Sequence, residues 1–253
     1  MQYLRPLRDC QPNWRQWVDD YLASFKRILW PPTCVLCKAA SGRGMDLCSA
    51  CERDLALNDG CCRTCAHPLP ETASADPVCG ACRKRLPKFD YAFVPHRYGY
   101  PLDHLVQRLK YGGELAVGRV LGEVFARHLL DRRERPLPHA IVPVALGRRR
   151  YVSRKFNQAV EIGRPIARAC GVRMYTDLVV RTRDTREQAS LERKQRRRNV
   201  RGAFAVVREL PCDHVAILDD VVTTASTVNE IARVLRRAGA RTIEVWAIAR
   251  AGK

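Results

Sequence analysis

The stretch with the clearest chemical content reads Val215-Ala216-Ile217-Leu218-Asp219-Asp220-Val221-Val222-Thr223-Thr224-Ala225-Ser226-Thr227. Its apolar start predicts a buried strand that delivers two consecutive carboxylates to a small hydroxyl-rich loop and a helix start. Thr223, Thr224, Ala225, Ser226 and Thr227 offer backbone N–H groups and hydroxyls suited to one phosphate. Asp219 and Asp220 would repel that phosphate at the same spot. They suit neutral hydroxyls, as on a ribose, or a nearby metal ion. Phosphate on one side and diol on the other describes a ribose 5-phosphate. Helix capping is the competing explanation, with Glu230 three residues after Thr227 in capping-box spacing. It accounts for the hydroxyls but not for two acids closing an apolar strand.

A second chemistry lies in the cysteines. Eight of the twelve form four Cys-x-x-Cys pairs: Cys34/Cys37, Cys48/Cys51, Cys62/Cys65 and Cys79/Cys82. Each such turn points two thiolates at one place, and two turns complete a tetrahedral zinc site. A disulfide framework is the rival. It needs an oxidising compartment, and the polar, arginine-bearing residues 1–12 do not resemble an export signal. Two zinc ions are therefore expected, paired either sequentially or in a cross-braced manner. All-sulfur coordination leaves no open position, so the ions are expected to be structural and to supply folding free energy. Cys61 adjoins Cys62 and could compete as a ligand, but only Cys62 keeps the two-residue spacing to Cys65. Cys10, Cys170 and Cys212 fit no pair.

The surrounding pattern supplies the elements that must hold these groups. Residues 1–32 predict an amphipathic helix with Trp14, Trp17, Val18, Tyr21, Leu22, Phe25, Ile28 and Leu29 on one face. Asn13 is its expected N-cap and Pro31-Pro32 its stop. That face either docks on its own domain or takes a partner. Residues 33–86 form the double zinc ribbon. Residues 87–253 alternate strands and helices. Strands are expected at 89–97, 140–145, 172–180, 215–218 and 242–248, and helices at 102–110, 115–130, 157–169 and 226–238. Pro165 predicts a kink or a late start in the third helix. The alternation implies an α/β fold, a mostly parallel sheet with helices on both faces, binding ligands at the strands' carboxyl ends.

Charge narrows the partners. The chain carries 45 Lys+Arg against 26 Asp+Glu, a net of +19. Only four basic residues face six acidic ones between Cys34 and Cys82, so the excess belongs to the rest of the chain. Nucleic acid, an anionic surface or phosphorylated small molecules would match it. Arg148, Arg149, Arg150 and Arg154 follow the 140–145 strand and, with Lys110, are candidates for a pyrophosphate; a solvated loop is the plainer alternative. Residues 181–201 hold nine basic and three acidic residues. Arg193, Lys194, Arg196, Arg197 and Arg198 there are candidates for a DNA backbone, without aromatics for base stacking. No run of 18 or more apolar residues exists, which excludes a transmembrane helix.

The 215–227 stretch resembles the phosphoribosyl pyrophosphate (PRPP) loop of type I phosphoribosyltransferases: four apolar residues, two acids, two apolar residues, then Thr-Thr-Gly-x-Thr. Ala225 stands where that pattern has Gly. Further segments follow in order: Lys110-Tyr111-Gly112-Gly113, Arg154-Lys155-Phe156-Asn157-Gln158, and Gln188 through Asn199-Val200-Arg201-Gly202-Ala203-Phe204. With the zinc ribbon in front, they resemble the ComF family, in which Gly usually stands at the place of Lys155. The resemblance implies a type I phosphoribosyltransferase-like fold and a cytoplasmic protein of natural competence. It further implies partners in single-stranded DNA and DNA-processing proteins. By it, Asp219 and Asp220 hold ribose hydroxyls, Thr223 to Thr227 hold the 5-phosphate, Mg²⁺ accompanies PRPP, and 181–201 takes the place of the loop that closes over the site. Three functions fit: a PRPP-binding competence protein, a phosphoribosyltransferase for an unidentified acceptor, and a zinc-dependent nucleic-acid adaptor with an inactive PRPP site. Ala225 is compatible with the loop if its φ stays negative.

Overall fold

A computed structural model of the chain describes residues 31–70, 77–133, 135–183 and 200–252. The helix expected at 13–29 and the candidates Arg193, Lys194, Arg196, Arg197 and Arg198 lie outside them. The chain divides into two compact units, 1–48 and 49–253. The division falls within the 33–86 stretch.

The described elements are α1 (Ser49–Arg53), α2 (Gly80–Lys84), β1 (Tyr91–Phe93), β2 (His96–Arg97), α3 (Leu102–Gly112), α4 (Leu115–Arg132), β3 (Ala140–Pro143), α5 (Arg148–Arg154), α6 (Gln158–Cys170) and β4 (Arg173–Met174). They continue with β5 (Val179–Arg181), β6 (Phe204–Val206), β7 (His214–Val222), α7 (Ser226–Arg237) and β8 (Thr242–Arg250).

Two knuckles repeat one local design. Lys38 N–H donates to the Cys34 carbonyl at 2.9 Å, and Ala66 N–H to that of Cys62 at 2.8 Å. Both residues take the left-handed region, φ 66° and 53°. Thr33 bridges Ala40 as Cys61 bridges Pro68. Cys61 thus occupies the strand position just before the ligand turn, which gives it a structural place of its own.

β1, β2, β3, β4, β7 and β8 form a six-stranded sheet in the order β1-β8-β7-β3-β4, with β2 beside β8, and every pairing is parallel. Such strands are covered on both faces and read as apolar runs. One face carries Val215, Ile217, Ile243, Val245 and Ala247, packed with Val228, Ile231, Ala232 and Leu235 of α7. Trp246, one residue out of phase, meets Phe125 of α4 with ring centroids 5.8 Å apart. α6 lies on that second face: a Cβ at Gly163 would stand 2.8 Å from Leu218. β5 and β6 pair antiparallel outside the sheet.

Several boundaries differ from expectation. Residues 89–97 break into β1 and β2, and 172–180 into β4 and β5, which join different sheets. Pro165 is accommodated within an unbroken α6. That segment packs tightly, since a Cβ at Gly122 of α4 would come within 2.4 Å of Pro165 and 2.2 Å of the Ile162 carbonyl. β7 runs four residues past Leu218, with Val221 and Val222 opposite Ala249 and Arg250. The ladder joins main-chain groups, so the two acids do not interrupt it.

Candidate functional site

β3 and β7 run side by side, with Pro143 opposite Leu218. Their carboxyl ends deliver α5 and the 223–225 loop to one edge of the sheet, where such sheets bind ligands. Asp220 is buried at that edge, 4% exposed. Lys110, from the end of α3, pairs with its Oδ2. Gln158 Nε2, in the first turn of α6, donates to its Oδ1 at 3.3 Å. The chain of contacts continues outward. Arg154 donates to Gln158 Oε1 at 3.1 Å, and its guanidinium lies 5.2 Å from the Tyr111 ring centre. Asn157 caps α6 through the Ala159 N–H at 3.0 Å and donates to the Val144 carbonyl at 3.0 Å, fixing α6 to the end of β3. Lys110-Tyr111, Arg154 to Gln158 and Asp219-Asp220 therefore converge, though they are far apart in sequence.

The two carboxylates are not equivalent. Asp219 accepts the Asp220 N–H at 2.9 Å. Burial, followed by the adjacent Asp220 charge, raises the Asp219 carboxyl well above the aspartate range. Burial opposes ionisation of Asp220 as well, but Lys110 and the hydrogen bonds of Asp219 and Gln158 outweigh it and lower its pKa. Lys110 is raised despite burial, because Asp220 faces it. The two carboxyls therefore differ in direction: ionisation is disfavoured at Asp219 and favoured at Asp220, which faces Lys110.

Beyond the acids, Thr224 and Ser226 share a hydroxyl hydrogen bond of 2.9 Å. No side chain caps α7 at Ala225. The competing capping-box reading is not supported at Glu230, which accepts the Gly202 N–H at 2.7 Å and pairs with Arg233 at 2.6 Å. Arg148 and Arg149 are exposed on α5, with Arg150 half-buried.

The cysteines gather sequentially. The Sγ atoms of Cys34, Cys37, Cys48 and Cys51 lie within 4.8 Å of one another, as do those of Cys62, Cys65, Cys79 and Cys82. Sulfurs about 2.3 Å from a tetrahedral zinc stand about 3.8 Å apart. The Cys37–Cys48 and Cys65–Cys79 separations are 3.9 and 3.6 Å, so the donor sets fit zinc and are too wide for disulfides. Burial works against a thiolate at Cys34, yet the backbone N–H groups of Cys37, Cys48 and Leu36 lower it to about 6. Cys62 is lowered to about 7 in the same way, by Cys79, Cys65 and Thr64. The second tetrad is buried throughout and belongs to the core shared with β7, β8 and α7.

Comparison with known proteins agrees with this arrangement. Residues 25–83 match the double zinc ribbon domain. DNA utilization protein YhgH of Escherichia coli O6:H1 is 34% identical over 224 residues, spanning 87% of this chain and 97% of that protein. The chain belongs to the ComF/YhgH family. Competence protein F of Haemophilus influenzae is likewise 34% identical, over 81% of this chain and 90% of its own length. Competence protein ComFC of Streptococcus pneumoniae is 26% identical over 62% of this chain and 69% of its own. Among solved structures, a purine phosphoribosyltransferase from Pyrococcus horikoshii is similar over 53% of this chain and 81% of its own, at 14% identity and a TM-score of 0.30.

The two departures from the ComF pattern acquire a common meaning. Ala225 takes φ 56° and Lys155 φ 62°. Both stand where the pattern has Gly, and both are left-handed positions at the site edge, where Gly alone avoids the Cβ penalty. The negative φ on which accommodation of Ala225 depended is not found. This ComF chain therefore holds two left-handed positions with strain that Gly would relieve. Sequence reasoning did not single out Arg250, a buried cation whose signal was a charge closing the apolar run of β8.

Proposed function

We propose that this chain is a PRPP-binding ComF protein acting in natural competence, where it handles incoming single-stranded DNA. The observation that carries the reading is the contact chain Lys110–Asp220–Gln158–Arg154–Tyr111 at the carboxyl edge of a parallel sheet. It joins the three family motifs around one pair of carboxylates. In this reading Asp219 and Asp220 bind the ribose hydroxyls, neutral Asp219 being able to donate as well as accept. Thr223, Thr224, Ala225, Ser226 and Thr227 hold the 5-phosphate. Arg148, Arg149, Arg150 and Arg154 face the pyrophosphate, and Lys110 holds Asp220 in its ionised state. Lys110 and Gln158 already engage the two Asp220 oxygens, so in this reading Mg²⁺ would be carried by the pyrophosphate. It would screen the charge of that group. Zinc is held by Cys34, Cys37, Cys48 and Cys51 at one site, and by Cys62, Cys65, Cys79 and Cys82 at the other. Arg193, Lys194, Arg196, Arg197 and Arg198 track the DNA backbone. The relatives' names, DNA utilization protein and competence protein, support the cellular role. No helix among the described residues is long and apolar enough to cross a membrane.

Calorimetric titration with PRPP and Mg²⁺ tests the site. The wild type should bind, and Asp219→Ala/Asp220→Ala should not; absence of heat with the wild type refutes PRPP binding. Affinity for single-stranded DNA should fall with salt, less steeply once Arg196, Arg197 and Arg198 are replaced by Ala. An unchanged slope removes that loop as the DNA contact.

A further inference from the structure

Arg250 closes β8 and is 5% exposed. Its Nε donates to the Cys65 carbonyl at 3.1 Å. One terminal nitrogen donates to the carbonyls of Val222 at 2.8 Å and Ala251 at 3.0 Å, and to that of Thr223. A single guanidinium therefore grips the last residue of a cysteine turn, the end of β7 and the first residue of the 223–227 loop. The ladder reinforces this, since Val222 lies opposite Arg250 and accepts the Ala251 N–H at 3.0 Å.

The charge on that guanidinium needs an account. A buried cation is costly unless compensated. Every acceptor named above is a neutral main-chain carbonyl. The residue that accepts from its Nε, Cys65, is itself a member of the second tetrad, so the charge of a loaded metal site would stand beside the guanidinium. Four thiolates around one Zn²⁺ carry a formal net charge of about −2. The loaded site thus supplies a counter-charge on the ribbon side, while the hydrogen bonds point toward the loop.

We infer that Arg250 is a positioning residue that couples the metal state of the second tetrad to the geometry of the phosphate loop. Zinc at Cys62, Cys65, Cys79 and Cys82 holds the guanidinium, and the guanidinium holds Val222 and Thr223. Loss of that zinc loosens the loop; an occupied loop binds that zinc more tightly, as linkage requires. Among the described residues, the hydrogen bonds of Arg250 go to Cys65, Val222, Thr223 and Ala251 and to no cysteine of the first tetrad. The inference rests on the reading of 223–227 as a phosphate loop for its ligand, but the coupling itself is measurable without one.

The test uses the full zinc-loaded chain, with Arg250→Met, which keeps bulk without charge, and Arg250→Lys, which keeps charge but cannot span the carbonyls. Hydrogen exchange is followed in segment 222–227, and zinc loss to a chelator is assigned to either tetrad by exchange in segments 34–51 and 62–82. In Arg250→Met, exchange in 222–227 should rise about tenfold, the loss of one or two buried hydrogen bonds. The second zinc should leave faster, the first at its wild-type rate, and PRPP should bind about tenfold more weakly. Arg250→Lys should fall between. PRPP should slow loss of the second zinc in the wild type and not in Arg250→Met, an effect that mere structural support would not produce. Unchanged exchange in 222–227, or a rise spread evenly over residues 49–253, overturns the inference. Should the variants fail to fold, the wild type stripped of its second zinc decides: exchange in 222–227 must rise before that in α4. If the wild type binds no PRPP yet shows zinc-dependent exchange, the ligand reading fails and the coupling stands.

Discussion

Asp219 and Asp220 are adjacent and chemically identical, yet replacing each by Asn should have opposite consequences. Asp220 pairs with Lys110 and accepts from Gln158, all at a largely buried position. Asp220→Asn leaves the Lys110 ammonium without that partner, at a cost of about 3 kcal/mol, the low end for breaking a buried pair because Asp219 can ionise in compensation. In urea that is a midpoint about 1 M lower, with a slope near the upper end for small proteins. Asp219→Asn removes a carboxyl whose ionisation is opposed by burial and by Asp220, so stability should hold or rise at neutral pH. The pH dependence follows with a definite sign. The folded pKa of Asp219 is raised to about 8, so its contribution is complete below the ordinary aspartate range and is lost as pH rises toward that value. The Asp220 pKa is lowered, so its contribution is present above the ordinary range and lost as pH falls through it. Between pH 5 and 8 the wild type should therefore lose stability with a slope of at most about 1.4 kcal/mol per pH unit from this group, and Asp219→Asn should flatten it. Urea unfolding of the zinc-loaded chain across that interval measures both effects. Equal destabilisation by the two substitutions, or an unaltered slope in Asp219→Asn, would refute the division into a neutral and a charged carboxyl.

Lys155→Gly should raise the unfolding midpoint, and Ala225→Gly should do so by less because its methyl packs on the core. The expected gain for Lys155→Gly is about 0.5–1 kcal/mol, the left-handed penalty less the extra backbone entropy of Gly. Ala167→Gly inside α6 should instead cost about 1 kcal/mol, and a matching loss at Lys155 would contradict the assigned backbone. Gly122→Ala should destabilise by about 3 kcal/mol in thermal unfolding, because its methyl would overlap the Ile162 carbonyl and Pro165. Zinc removal should weaken the hydrogen-exchange signal of protected amides in β7 and β8 in step with the second metal and not the first, because Cys62, Cys65, Cys79 and Cys82 belong to the core that holds Ile217 and Val245. Loss of that signal with the first metal would count against this.

The pairs of cysteines and the strand-to-loop stretch were legible because their partners are neighbours in sequence. A Cys-x-x-Cys turn aims two sulfurs whatever surrounds it. Two acids closing an apolar run mark where a buried strand meets a polar edge of the sheet. Local signals misjudged what main-chain pairing and packing decide: β7 continues through its acids, and α6 starts at Gln158, well ahead of Pro165. The sequence also left open which two turns share a metal, since each turn supplies only half a tetrahedron. The tertiary structure chose the sequential pairing.

By itself, then, the sequence determined the ligand types, the parallel α/β alternation and the small hydroxyl loop that follows Asp219-Asp220. The partner of each charge was decided only by the fold. Gln158 reaches Asp220 across 62 residues, and Arg250 reaches Cys65 across 185. Strand order and burial bring such groups together. Burial then makes the meeting consequential, because an unpaired charge is tolerable in water and costly inside the protein.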